Sequence, residues 1–251
     1  MALQGQHALV TGGGRGIGRA IAQALKDAGA RVSILGRDEA ALREAAEAGA
    51  ADAFAACDVR DPGAVSVAIG DLSRAKAFDI AIANAGAVET GPFLRSDSER
   101  FRRMIDINLI GTVNLFHAVL PGMLERGSGR LVAIASTAGH RGYPYVSAYA
   151  AAKHAVIGLV KSLALETARS GVTVNAVSPG YADTDMVASG LDSIAAKTGK
   201  SRDEALAAMV KDNPQGRLVA PEEVAAAVLY LCGPGSAAVT GQSLLVNGGE
   251  F

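Results

Sequence analysis

Short apolar runs alternate along the chain with longer amphipathic stretches. Residues 7–11, 31–35, 53–56, 80–84, 129–135, 172–177 and 243–246 are too short for core helices, rich in Val, Ile, Leu and Ala, and are predicted as strands. Between them, residues 16–29, 39–48, 99–126, 148–168 and 221–231 repeat apolar positions at helical spacing, the last opening on Pro221 in a first helical turn. This rhythm is that of βαβ units, with buried strands forming a parallel sheet covered by helices on both faces. Seven strands make a full doubly wound sheet, so the expected fold is a single Rossmann-type α/β domain over residues 1–251. Residues 181–217 break the rhythm as a long polar and helical insertion without a strand. A segment of that length is expected to be a substrate lid rather than a connector.

With 49% hydrophobic residues in 251, the chain can build a substantial core. Its 24 basic and 25 acidic side chains leave a net charge of -1, so no overall field draws it to nucleic acid or an anionic membrane, and any anion site is local. Cys57 and Cys232 form no CxxC or Cys/His cluster, and His7, His117, His140 and His154 show no ligand spacing. Neither a disulfide framework nor a metal site is expected, and both cysteines read as buried fillers. The first residues lack the basic start and apolar core of a signal peptide, and no stretch reaches about 18 apolar residues. The expected setting is soluble and cytoplasmic.

Residues 7–18, HALVTGGGRGIG, are an apolar strand, a glycine turn and a helix start. Helix amides and dipole favour a pyrophosphate there, and glycines let backbone and ligand approach closely. The strict GxGxxG spacing is absent, and the chain has TGxxxGxG instead, with Gly12, Gly16 and Gly18. Gly14, Arg15 and Ile17 complete the expected phosphate loop. No carboxylate ends the second strand, while Arg37 and Arg15 can both face the 2'-position of an adenosine ribose. This favours NADP by charge pairing, with Asp38 weighing the other way and NAD left open.

Five tyrosines occur, and only Tyr149 has a lysine four places on, Lys153. On a helix those positions share a face, and a nearby ammonium is expected to favour phenolate and bring Tyr149 toward acid/base strength. Ser136 closes the fifth strand, at the sheet edge where doubly wound folds build sites. Asn108 interrupts an apolar helical stretch, where a buried amide needs a partner.

The glycine spacing and this constellation together resemble the short-chain dehydrogenase/reductase family, and the resemblance covers essentially all 251 residues. Cys57-Asp58-Val59 resembles the segment whose Asp contacts adenine, and Asn84-Ala85-Gly86 the NAG turn that stabilises the sheet. Asn108, Ser136, Tyr149 and Lys153 match the family tetrad. The resemblance implies that Ser136 binds the substrate carbonyl, that Tyr149 protonates the forming alkoxide and that Lys153 tunes Tyr149 and binds the nicotinamide ribose. Asn108 is implied to hold a proton-relay water, and Pro179, Gly180 and Thr184 to lie in the segment contacting the carboxamide.

The chain looks most like 3-oxoacyl-thioester reductases and 3-hydroxyacyl-CoA dehydrogenases, which implies a β-ketoacyl thioester substrate. Tyr143, Tyr145, Tyr181, Met186, Val187 and Leu191 are the expected apolar lining. Arg126, Arg130 and Arg169 lie near the places where carrier-protein reductases dock their partner, but Gly127 and Ser170 stand at the aligned positions, so a carrier partner is left open and a CoA ester favoured. The resemblance also implies a homotetramer. Two alternatives stand beside it: an alcohol, sugar, steroid or hydroxy-acid dehydrogenase of the same family, and a non-enzymatic nucleotide sensor, which the retained Tyr149 and Lys153 oppose.

Overall fold

The computed structural model describes residues 2–199 and 201–251; residue 200, inside the expected lid, and residue 1 lie outside the described residues. Seven parallel strands form one sheet: β1 (His7–Thr11), β2 (Arg31–Gly36), β3 (Ala53–Ala56), β4 (Ile80–Ala83), β5 (Gly129–Ile134), β6 (Val172–Pro179) and β7 (Ser243–Val246), in the order β3-β2-β1-β4-β5-β6-β7. The order reverses between β1 and β4, and a crevice opens beyond their carboxyl ends.

The helices are α1 (Gly16–Asp27), α2 (Glu39–Glu47), α3 (Pro62–Ser73), α4 (Ser98–Ile105), α5 (Gly111–Arg126), α6 (Ser147–Thr167), α7 (Asp185–Thr198), α8 (Arg202–Val210) and α9 (Pro221–Cys232). Period-two alternation sorts the strand residues between the two faces of the sheet. Ala8, Val10, Ile80, Ile82, Val132 and Ile134 pack with Ile21 and Leu25 of α1 and with Val224 and Val228 of α9. Leu9, Ala81, Ala83, Leu131 and Ala133 pack with Val65 of α3, Leu115 and Phe116 of α5, and Val156 and Val160 of α6. The apolar strand runs follow from burial on both sides.

Two helical features depart from the sequence reading. Helix α3 was not singled out, because its glycines and small residues give no sharp apolar stripe; it starts where Asp61 accepts from the Gly63 and Ala64 amides ahead of Pro62. The helix expected over 99–126 is interrupted by a π turn at Asp106–Ile110, which carries Asn108. The stretches Ser98–Arg126 and Ser147–Thr167 are also long and apolar enough by composition to cross a membrane, contrary to the expectation that none would be. In the fold Leu115, Phe116, Val156 and Val160 of these stretches pack on the sheet, while Met104 packs against Ala148 and Ala152. Both cysteines are buried, and burial pushes the Cys232 thiol up to about 12.

His7 lies at the other end of β1 from the crevice, fully buried, with Nδ1 at 2.8 Å from the Lys76 carbonyl and Nε2 at 2.9 Å from the Ser33 hydroxyl. Burial holds its pKa below the ordinary value of 6.5. The folded state therefore binds this proton less readily than the unfolded chain. The stabilisation is complete above about pH 6.5 and is lost as pH falls toward the lower folded value. Thermal midpoints measured from pH 8 to pH 5 are expected to fall more steeply for the native chain than for His7→Gln; parallel curves would exclude this contribution.

Candidate active site

Thr11, the last residue of β1, ties the switch point together. Its hydroxyl donates to the Ile82 carbonyl at 3.3 Å and accepts from the Asn84 and Ala85 amides at 3.0 and 3.1 Å. The Asn84 side chain donates back to the Thr11 carbonyl at 2.9 Å and to that of Gly12 at 3.3 Å. Asn84 thus clamps the two strand ends, in line with the sheet-stabilising role implied by resemblance.

Gly12 turns the chain at φ +66, a region open to glycine, and Gly18 packs where a Cβ would strike the Gly12 carbonyl. Helix α1 then begins at Gly16 with no side-chain cap and no acidic residue in its first turn. Helices α2, α3, α4, α7 and α8 are capped by Asp38, Asp61, Asp97, Thr184 and Ser201. The open amides of α1 suit a phosphate, and a dinucleotide fits this glycine cradle.

Asp38 is doubly engaged: it accepts from the Ala41 amide as the α2 cap and pairs with Arg15. Its charge is thereby offset, and Arg37 makes no ion pair among the described residues. The rim facing the crevice is left net positive at Arg37. Asp58 is gripped by Arg60, whose Nη2 lies 2.6 Å from its carboxylate, and this fork holds the Asp58 carboxyl below its ordinary range.

At the other end of the crevice, Ser136 follows β5 and Tyr149 and Lys153 sit one turn apart near the start of α6. The Ser136 hydroxyl accepts from the Ala138 amide at 3.1 Å and lines the cavity with Tyr149. Lys153 is buried; its Nζ donates to the Ile134 carbonyl at 2.8 Å and stands 5.7 Å from the centre of the Tyr149 ring.

The expected lowering of the Tyr149 pKa is not what this geometry produces. Burial raises it above 10, the nearby Ser136 hydroxyl acts in the opposite direction without reversing the shift, and the ammonium is turned to a carbonyl. Burial also draws Lys153 down to about 8. Tyr149 is therefore a neutral phenol at pH 7, a proton donor. Asn108 is buried in the π turn, its amide donating to the Ala87 and Met104 carbonyls at 3.0 and 2.9 Å, so its donors serve the backbone.

A single cavity of about 1200 Å³ joins the two ends. Every residue singled out from sequence for cofactor or catalysis lines it: Gly12, Gly14, Arg15, Gly16, Ile17, Gly18, Arg37, Asp58, Val59, Asn84, Ala85, Gly86, Asn108, Ser136, Tyr149, Lys153, Pro179, Gly180 and Thr184. Of the expected substrate lining, Tyr143, Tyr145, Tyr181, Met186 and Val187 reach the cavity, whereas Leu191 is buried outside that lining. Sequence reasoning missed the wall formed by Thr90, Gly91 and Pro92 and the α8 residues Ala205, Ala208 and Met209. Tyr145, at φ 68, is a non-glycine residue in left-handed backbone; its carbonyl accepts from the Gly91 amide at 2.7 Å and joins the two loops at the cavity mouth.

A phenol, a hydroxyl and a buried ammonium at one end of a dinucleotide-shaped crevice define a nicotinamide-dependent oxidoreductase. The family described as enoyl-(acyl carrier protein) reductase matches residues 12–250. The chain is 39% identical over 255 residues to the 3-oxoacyl-(acyl-carrier-protein) reductase FabG of Vibrio harveyi, covering all of this chain and 99% of the relative. It is 37% identical over 252 residues to the acetoacetyl-CoA reductase of Shinella zoogloeoides, covering 97% and 98%. The crystal structure of a variant actinorhodin polyketide ketoreductase with NADPH superposes at a TM-score of 0.92, at 41% identity and covering 98% and 97% of the two chains. The chain belongs to the short-chain dehydrogenase/reductase family, NAD(P)-dependent oxidoreductases acting on small molecules.

Proposed function

We propose that the protein reduces a 3-oxoacyl thioester to the 3-hydroxyacyl thioester with NADPH. The observation that carries this reading is the meeting of Ser136, Tyr149 and Lys153 at one end of a cavity whose other end is the glycine cradle. The names of the relatives, a 3-oxoacyl-(acyl-carrier-protein) reductase and an acetoacetyl-CoA reductase, support the substrate class.

The α1 amides and Gly12–Gly18 backbone would hold the pyrophosphate, Arg37 the 2'-phosphate, and Asp58 and Val59 would flank the adenine. Pro179, Gly180 and Thr184 would border the nicotinamide. When bound, NADPH supplies the hydride that adds to the carbonyl carbon. Ser136 donates to the carbonyl oxygen and orients it. Tyr149, neutral and buried, gives its proton to that oxygen as the alcohol forms. Lys153, held on the Ile134 carbonyl one turn from Tyr149, would hold the nicotinamide ribose and offset the charge left on the phenolate, and Asn108 anchors the Ala87 backbone beside them. Helices α7 and α8 serve as the lid, with Met186 and Met209 as adaptable apolar surface.

Arg126 donates to the Phe78 carbonyl at 2.7 Å and Arg130 to those of Gly129 and Gly171. With both engaged on backbone, a CoA ester is preferred over a docked carrier protein. The expected assembly is a homotetramer, formed through the helical stretches 99–126 and 148–168 and the C-terminal strand region, in a cytoplasmic setting.

The test is oxidation of NADPH and NADH against acetoacetyl-CoA, acetoacetate, cyclic ketones and sugars. NADPH with acetoacetyl-CoA is expected to give the highest kcat/KM; a sugar or cyclic alcohol as the best substrate would overturn the thioester assignment in favour of the alternative dehydrogenase reading. In the same assay Arg37→Asp is expected to raise the KM for NADPH about tenfold or more and leave that for NADH within about twofold, since one charge-assisted contact is lost.

A further inference from the structure

The last five residues lie against two walls of the cavity and the turn that follows α8. Asn247 packs on Gly180, where an added Cβ would lie 3.4 Å from its Cα, and Gly248 turns at φ +66 under Asn213, just after α8. Glu250 then carries its carboxylate inward, its side chain only 6% exposed. There it pairs with Arg141 and accepts from the Tyr143 hydroxyl at 2.7 Å. The Arg141 guanidinium lies over the rings of Tyr143 and Phe251, at 4.7 and 4.9 Å from their centres, and reaches Asp212 at 3.6 Å. Tyr143 meets Tyr181 edge to face at 6.4 Å, and both rings line the cavity.

We propose that Glu250 is a positioning residue for substrate selection: its buried carboxylate holds Tyr143, and through it Tyr181, as a fixed aromatic wall at the substrate end. A carboxylate taken out of water is a poor source of stability, since its desolvation offsets most of the pairing. What it supplies here is direction. A tyrosine without a partner at a cavity wall samples several rotamers, whereas one whose hydroxyl is held at 2.7 Å by an ion-paired carboxylate presents one ring face. The same bond points the Tyr143 proton at Glu250 and away from the cavity, so the wall is apolar in function and Tyr143 does not compete with Ser136 and Tyr149 as donor to the carbonyl. Burial and the adjacent Glu250 both keep Tyr143 un-ionised. The fixed wall sets which acyl chains fit beside the reacting carbonyl.

The inference rests on the thioester reading for its kinetics, so a second readout is independent of activity. Glu250→Ala is expected to raise the KM for acetoacetyl-CoA about tenfold while kcat and the NADPH Kd stay within about twofold, the pattern of lost substrate positioning. Glu250→Gln, whose amide oxygen still accepts the Tyr143 hydroxyl, is expected to restore most of the KM. In protein labelled with 3-fluorotyrosine, the fluorine resonance that Tyr143→Phe removes is expected to shift and broaden in Glu250→Ala and return in Glu250→Gln, the other four tyrosine signals reporting an intact fold. An unmoved Tyr143 resonance in Glu250→Ala, or a KM unchanged by it, would overturn the proposal. Absence of NADPH oxidation by the native protein would instead count against the thioester reading, with the fluorine spectrum still deciding whether Glu250 holds Tyr143.

Discussion

Tyr149→Phe is expected to lower kcat for acetoacetyl-CoA reduction by about 10³-fold while leaving the NADPH Kd within about twofold. The substitution removes one oxygen from a side chain that otherwise keeps its ring and its burial. The lost group is a phenol that burial holds neutral, so at pH 7 its proton is in place before the carbonyl arrives. The other donors of the site are poorly set to replace it: Ser136 is a far weaker acid, the Tyr143 hydroxyl donates to Glu250, and Lys153 donates to the Ile134 carbonyl. Water could enter the vacated space, but it would arrive without the fixed position that α6 gives the phenol. Measured by stopped-flow NADPH oxidation with parallel calorimetry of cofactor binding, a mutant retaining a tenth of native kcat would exclude Tyr149 as the proton donor. A mutant losing cofactor affinity in proportion would show that the ring positions the nicotinamide instead.

The architecture was legible because period and burial agree along this chain. Strands buried on both faces leave unbroken apolar runs, and β1, β3 and β7 fall at the expected residues. The longer extent of β6, to Pro179, was hidden because Ser178 and Pro179 look like turn residues, yet they pair with Leu245 and Val246. The π turn at Asn108 was invisible for a related reason: one extra residue in a helix leaves no composition mark, only an amide out of place. In the site, the tetrad and glycine turn were readable since backbone geometry and chemistry restrict those positions to few residue types. The electrostatics were not readable, because they depend on which way a side chain turns. Lys153 satisfies the sequence pattern but reaches a carbonyl, and Asp38, read as a weight against NADP, is engaged by Arg15 and the α2 amide. The Glu250–Tyr143 contact joins positions at opposite ends of the catalytic half of the chain, and no local pattern announces it.

Gly18→Ala is expected to weaken NADPH binding by about 100-fold or more and to destabilise the fold by about 1–3 kcal/mol. The physical reason lies in what surrounds the added methyl. Its carbon would overlap the Gly12 carbonyl and stand 2.5 Å from Nδ2 of Asn84, and neither can yield cheaply. The Gly12 carbonyl belongs to a turn whose φ of +66 is already particular to glycine. Asn84 is held by its bonds to the Thr11 and Gly12 carbonyls, so pushing it away loosens the clamp between β1 and β4. The first turn of α1 would have to lift from the strand end, and its uncapped amides would leave the position a pyrophosphate requires. Gly70→Ala in α3 is the matched control: nothing lies within 4 Å of its Cβ, and a helical glycine replaced by alanine is expected to stabilise by about 0.5–1 kcal/mol. Calorimetric unfolding together with NADPH titration separates the two sites. A Gly18→Ala protein that bound NADPH with native affinity would mean that the phosphate does not sit on this turn.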